Sequence, residues 1–580
     1  MKKIIKVILA FLASVGFLTI LAIAGIYFLI SSYLNIPELE QEEVSQTTIL
    51  DLKVGSIPFV DVNADSDIFS MLQNMRPISL YETVTAIKHA ANDQRIKGIL
   101  LSIEGSNITL AEAQELREAL SYFKKSQKKV YAYAYSYGEG GGGTSPYYLA
   151  TIADGIFMQP QGMVELTGYA IESYFMRDLL DKYKVKPQLD RRESYKGFIE
   201  PYTNKDFSPE TKENLTNLLS DMLGQVEESI ANRHNIKEVD AKHLVNAAPY
   251  LDTQAVDKKL ITQLLHKEEV KELVEQELET KPTFATLRTY KKSIPLQKIK
   301  HKFALVSVDG EITSPVVNSP YGQTQSTPSR IAQQLKKAAE DNEVEAIILR
   351  INSPGGTVTG AETIWYEVDR IANKLGKPVI VSMGTLAASA GYEIAAPATK
   401  IIANPGTITG SIGVATGKFA IGEAASDFGI NLRQIMTAKH SGMWSAAEEF
   451  TSEEWAKIQE SLDHYYDIFL KKVSDGRHIP VEAIRKVAKG QVWTGKQAKE
   501  FGLVDELGGF LKAINVAKGL VNIPEDSLVE IRLMNEPSLS CSLFAGFFEG
   551  MSLLTSVSKN IKMMVSENAS VQSKLSVSPR

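Results

Sequence analysis

The sequence predicts an α/β fold with parallel-rich sheet, used twice in one chain and preceded by an apolar N-terminal segment. Three observations carry that expectation. Short apolar runs alternate with helical patterns through most of the 580 residues, the rhythm of buried strands with helices packed outside a parallel sheet. The segment from Thr144 to Gly197 matches Ser389 to Gly442 at a constant offset of 245 residues, and ordered self-similarity of this kind marks a repeated unit. Val7 to Ile30 forms a run of 24 residues without a charge, about 36 Å of helix and enough to cross a hydrocarbon core.

The elements follow in chain order. Lys2, Lys3 and Lys6 precede the apolar run and Glu38, Glu40, Glu42 and Glu43 follow it. The positive-inside rule then puts the N-terminus in the cytoplasm and the rest of the chain outside. A cleaved secretory signal is the competing reading, with Ala22-Ile23-Ala24 as its small-residue site. The run is longer than the ~7 to 15 apolar residues usual in a signal core, which favours an anchor. Residues 1–45 are thus expected to be anchor and linker, 46–299 the first repeat, 300–525 the second, and 526–580 a Ser-rich, partly flexible tail. The apolar patch Leu543 to Phe548 in that tail is too short to span a membrane.

The repeat rests on identities in register, among them Tyr147 with Tyr392, Ile156 with Ile401, Pro160 with Pro405 and Gly168 with Gly413. With small gaps it continues to Arg233-His234 against Arg477-His478, and upstream Gly98 to Ile103 answers Ala346 to Ile351. The charged stretch Lys267 to Lys298 is expected to join the halves. In the second half, Phe303 to Val308, Ala346 to Ile351 and Pro378 to Ser382 read as buried strands. Ala361 to Leu375 carries Ile364, Trp365, Val368, Ile371 and Ala372 at helical spacing. Ser452 to Val473 and Val481 to Val487 read as further helices.

Composition narrows the function. The net charge of −6, from 63 basic and 69 acidic residues, supplies no basic field for nucleic acid. One cysteine, Cys541, and eight histidines exclude an internal disulfide and a thiolate zinc site. Two features sit at strand ends, where α/β sheets place their sites. Asn352-Ser353-Pro354-Gly355-Gly356 is either a plain tight turn or a cradle of open N–H groups. Ala387-Ala388-Ser389-Ala390-Gly391 has the small residues of a nucleophile elbow without its first glycine, and a helix N-cap serine is the simpler reading. A serine nucleophile needs a base. His440 is the one histidine near the second half's site region, and His478 repeats His234 and reads as structural. A lysine serves instead if a dry pocket lowers its pKa from ~10.4 towards 7 or 8.

Taken together, Met383 to Tyr392, Ser194 to Pro201 and Gly410-Ser411-Ile412-Gly413-Val414 resemble the long, duplicated form of the signal peptide peptidase A (protease IV) family, peptidase family S49. These are membrane-anchored bacterial serine proteases of the ClpP/crotonase fold, and the similarity runs from the apolar segment to about residue 525. The resemblance implies a Ser-Lys dyad split between the halves, with Ser389 as nucleophile and Lys196 as general base. It also implies an oxyanion site at the backbone N–H groups of Gly356 and Ala390, and no metal or other cofactor. Ser411 is either an orienter of the lysine or a turn residue. The implied substrates are hydrophobic peptides such as remnants of cleaved signal peptides. The implied assembly is a homotetramer, held in the bacterial cytoplasmic membrane by one span with its catalytic part outside. The repeat agrees: the counterpart of Ser389 is Thr144, beside the loop Gly138 to Gly143, and that of Lys196 is Ser441. Each half alone lacks one member of the dyad. The sequence departs from the family pattern at Ala390, in place of the usual Gly, at Glu393, in place of a common aromatic residue, and at Gly197-Phe198, in place of smaller polar residues. A crotonase-type acyl-CoA enzyme and an inactive membrane-anchored scaffold are the alternatives.

Overall fold

Two sheets of the same plan follow one another along the chain. The computed structural model describes residues 44–57, 78–104, 107–294, 299–313 and 327–534. The apolar segment 7–30 with its flanking charges, Cys541 and the patch Leu543 to Phe548 lie outside the described residues. Among the described residues, no helix is long and apolar enough to cross a membrane.

The first sheet has six strands in the spatial order Gln263–Leu264, Gly155–Met158, Lys129–Ala134, Ile96–Ser102, Thr48–Lys53, Thr283–Thr286, every neighbouring pair parallel. The second repeats it with Glu506–Leu507, Lys400–Ala403, Val379–Ala388, Val344–Ser353, His301–Asp309 and Val529–Leu533, again all parallel. Even the small antiparallel pairs correspond, Met163–Val164 with Tyr250–Leu251 in one half and Ile408–Gly410 with Val492–Thr494 in the other. Leu- and Ile-rich central strands such as Ile347-Ile348-Leu349 are buried on both faces, as parallel strands between layers require.

This topology corrects three expectations. The stretch Lys267 to Lys298 is not a simple connector: Lys267–Leu278 is a helix, and Thr283–Thr286 closes one edge of the first sheet against Thr48–Asp51. Its counterpart, Val529–Leu533, carries the second sheet beyond residue 525. The match of Arg233-His234 with Arg477-His478 is also one residue out of structural register. Helices Pro209–His234 and Ser452–Arg477 have equal lengths and end in left-handed caps at Asn235 and His478, so His478 stands where Asn235 does. The identity in sequence is local, whereas the cap is fixed by where the helix must stop.

The halves are not beads on a string. Leu305, Ile348, Ile380 and Ile402 of the second sheet lie in one hydrophobic cluster with Leu110, Ala113 and Leu116 of the first-half helix Leu110–Lys124. A buried ion pair crosses the same interface: Arg350 donates to both carboxylate oxygens of Glu115, at 3.2 and 2.8 Å. Glu115 also accepts the amide of Phe510, so its remaining capacity is used, as a buried charge demands. The helix Ser452–Arg477 packs Tyr466, Phe469, Leu470 and Val473 into the second core.

Candidate active site

The strand Val379–Ala388 runs past the predicted end near Ser382 to the first residue before Ser389. Ser389 then takes φ 55°, ψ −123° and opens the short helix Ala390–Glu393. It holds the N-cap position, yet its side chain makes no capping bond. A non-glycine residue in this region is strained, and such strain persists only where the surroundings enforce it. The neighbouring turn permits it, because a Cβ on Gly355 would stand 2.8 Å from Ser389 Cβ. The elbow reading therefore describes this serine better than the cap reading.

Lys196 comes from the other half. A two-stranded antiparallel ribbon, Lys186–Arg191 against Ala415–Ala420, ties the halves together directly before it. Arg191 donates to the Lys196 carbonyl and to Glu200, and Glu200 also accepts from Ser208 and Thr211. The turn is thereby braced from the first half. From the second half, Tyr195 N–H donates to the Lys489 carbonyl, and a Cβ on Gly490 would stand 2.6 Å from the Lys196 nitrogen. Only a glycine fits there.

The lysine side chain crosses to Ser389. Its Nζ lies 3.1 Å from Ser389 Oγ, 2.7 Å from the Ser411 carbonyl oxygen and 2.9 Å from Ser411 Oγ. Ser411 has φ 52°, which turns its carbonyl and hydroxyl to the same nitrogen. Lys196 is 5% exposed, and burial without an acidic neighbour pushes its ammonium down to about 7. Of the predicted site residues, Ser389, Lys196, Ser411, Gly356 and Ala390 all line one cavity of about 600 Å³. In the parallel bridge of Ile312 with Gly356, the bonds run to Gly355 O and Thr357 N, so the Gly356 amide faces away from Ile312. The Ala390 amide heads its helix, where amides have no intrahelical acceptor. His440 instead lies against Glu453 and Glu454. Ser441 hydrogen-bonds Ala438 in a turn, and neither lines the cavity.

Comparison with known sequences settles the family. The model of peptidase family S49 matches residues 122–281 and 371–524. The chain is 34% identical to Protease 4 of Haemophilus influenzae over 475 residues, which cover 78% of this chain and 75% of the relative. The chain belongs to peptidase family S49. It is also 32% identical to Protease 4 of Salmonella typhi, across 77% of this chain and 73% of the relative. To the chloroplastic serine protease SPPA of Arabidopsis thaliana it is 29% identical, across 78% and 67%. It is thus a serine-type peptidase with a duplicated S49 domain, and the two matched segments fall one in each half.

Sequence reasoning missed several residues around this S49 site. Gly490 acts through backbone proximity and the Arg191–Glu200 pair through a side-chain bond to the Lys196 carbonyl, and no motif spells out either. The glycine of Lys489-Gly490 was the available turn signal, and both residues take positive φ. The apolar wall contributed by Ile171, Phe175, Phe207 and Leu215 of the first half is assembled from segments whose spacing carries no period.

Proposed function

We propose that this protein is a membrane-anchored serine endopeptidase of ClpP/crotonase type that hydrolyses hydrophobic peptides, including signal-peptide remnants, through Ser389 and Lys196. The contact of Lys196 Nζ with Ser389 Oγ at 3.1 Å carries the reading. With a value near neutrality, a large fraction of the lysine is an amine at pH 7. Its two N–H bonds then go to the Ser411 carbonyl and hydroxyl, which leaves the nitrogen lone pair for the Ser389 proton. Ser389 Oγ attacks the peptide carbonyl, and the oxyanion is met by the amides of Gly356 and Ala390. The Lys196 ammonium gives its proton to the departing amine. The amine form next takes a proton from water, which attacks the acyl-enzyme, and the Lys196 ammonium returns that proton to Ser389 Oγ as the acyl bond breaks. The apolar lining of Phe175, Phe198, Phe207 and Val414 favours hydrophobic segments. An acyl-CoA enzyme would have no use for the lysine aimed at Ser389.

The anchor is residues 7–30, with the peptidase on the extracytoplasmic side of the bacterial cytoplasmic membrane. The repeat supports a reading of the assembly as well. At the offset of 245, the ribbon strands 186–191 and 415–420 correspond to 431–436 and 170–175, which belong to no strand in the single chain. These segments expose Ile435 and Met436 on one side and Ile171 and Tyr174 on the other. Pairing 431–436 of one copy with 170–175 of the next would repeat the ribbon and close a ring, the tetramer implied by the family resemblance. The peptidase test is fluorophosphonate labelling with hydrolysis of an apolar peptide ester. Label on Ser389 that vanishes in Lys196→Ala is expected; hydrolysis at the wild-type rate by both Ser389→Ala and Lys196→Ala would sink the dyad. Native mass measurement tests the ring, with Ile435→Asp expected to give monomers.

A further inference from the structure

One wall of the cavity is not apolar. Glu393 ends the helical turn opened by Ser389, lines the same cavity, and its side chain is only 8% exposed. One carboxylate oxygen accepts from Lys472 at 2.6 Å. The other has no hydrogen-bond partner among the described residues. Lys472 does not belong to Glu393 alone, because it also donates to Glu362, and its ammonium lies over the Trp365 ring at 4.5 Å. Two carboxylates thus share one fixed cation, and the group carries a net negative charge. Burial raises the Glu393 carboxyl, opposed by Lys472, so a second cation would relieve an existing cost. Among the other lining residues Lys196 is the one basic side chain, and its nitrogen is directed to Ser389 and Ser411. Glu172, Glu200 and Glu311 add acid.

We infer that Glu393 forms a subsite for a basic side chain, Lys or Arg, at the substrate residue whose carbonyl Ser389 attacks. The inference rests on the peptidase reading of this cavity and sharpens its substrate class to apolar peptides with a basic residue at the cut. Glu393 is one helical turn from Ser389, about 6 Å along the helix, so it meets the side chain beside the scissile bond. A long basic side chain lays its methylene stem on Phe469 and Val358, which line the same cavity, and brings its charged head to the open oxygen. The charge-assisted bond forms in a mostly apolar surrounding, where it is strongest.

The experiment compares two peptides that differ only in lysine or norleucine at that residue, with the cut located by mass spectrometry. Norleucine keeps the stem and lacks the charge. In the wild-type full-length protein, kcat/KM for lysine is expected to exceed that for norleucine by about tenfold or more. The ratio should fall to about one or below in Glu393→Gln and rise in Lys472→Met, which leaves both Glu393 oxygens open to the substrate's cation. A wild-type ratio of one or less, or the same ratio in all three proteins, overturns the inference. Fluorophosphonate labelling of Ser389 verifies a folded site in each variant; if both variants fail to label, the wild-type ratio decides. Norleucine peptide cut through Ser389 without any lysine preference defeats the subsite and leaves the peptidase intact. Cleavage that survives Ser389→Ala removes both.

Discussion

Thr144 and Ser389 occupy equivalent places in two copies of one fold, and their hydroxyls have opposite fates. The Thr144 hydroxyl is closed on its own half: it donates to the Gly168 carbonyl and accepts the Gly168 amide. Ser389 reaches out of its half to Lys196. The backbone explains the difference. In the second half a ten-residue strand leads directly into Ser389, whereas in the first the strand stops at Ala134 and a glycine loop intervenes before Thr144. That loop is occupied from within, since Glu165 accepts the amides of Gly140 and Gly141. A duplicated fold can therefore keep its sheet while a few residues at one strand end decide whether a hydroxyl closes on its own half or reaches the other.

The comparison is broken most severely at the serine. Ser389→Ala should lower kcat/KM on an apolar peptide ester by about 10⁴-fold or more. Adding Thr144→Ser to that variant should restore nothing, because the position equivalent to Lys196 is Ser441. Recovery of hydrolysis in the double variant would show that the first half can still catalyse.

Lys196→Met should cost about 10³-fold in rate, while wild-type kcat/KM rises with pH through about 7 as the amine is freed. The same substitution should stabilise the fold. Between about 7 and 10.5 the unfolded chain holds a proton that the folded lysine has shed, so wild-type stability climbs with pH across that window. Below it the cost is fully present, on the order of 5 kcal/mol. The gain in Tm of the Met variant should accordingly be larger at pH 6 than at pH 9.

Two further substitutions separate the joint between the halves from the chemistry. Glu115→Ala leaves Arg350 buried without its carboxylate and should destabilise the protein by about 3 to 5 kcal/mol, measured by urea unfolding. Gly490→Ala pushes on the Lys196 backbone and should reduce kcat about 10²-fold, since an ångström of misplacement is enough. A positioning effect also shifts the midpoint of the pH–rate profile, which a mere loss of stability leaves in place.

Much of this was legible in the sequence. The central strands were readable because parallel strands buried on both faces are continuous apolar runs, as in Ala346 to Ile351. Ser389 and Lys196 stood out through family motifs and the repeat, not through periodicity; spacing alone left Ser389 as readily a cap as an elbow. The edge strand Thr283–Thr286 was hidden by the charges around it, because an edge element needs burial on only one side. Lys472 was hidden for a different reason. It sits on a helix whose pattern reads as ordinary amphipathic surface, and only the approach of Glu393, 79 residues earlier, makes it part of the cavity.

The loop around Gly490 has a consequence in time. Lys196 is synthesised early, Ser389 later, and the segment that clamps the lysine later still. A nascent chain that has emerged only as far as Ser411 already holds Lys196 and Ser389, but nothing yet holds the lysine's backbone against the second half. The clamped approach of Lys196 to Ser389 is thus among the last contacts this polypeptide completes.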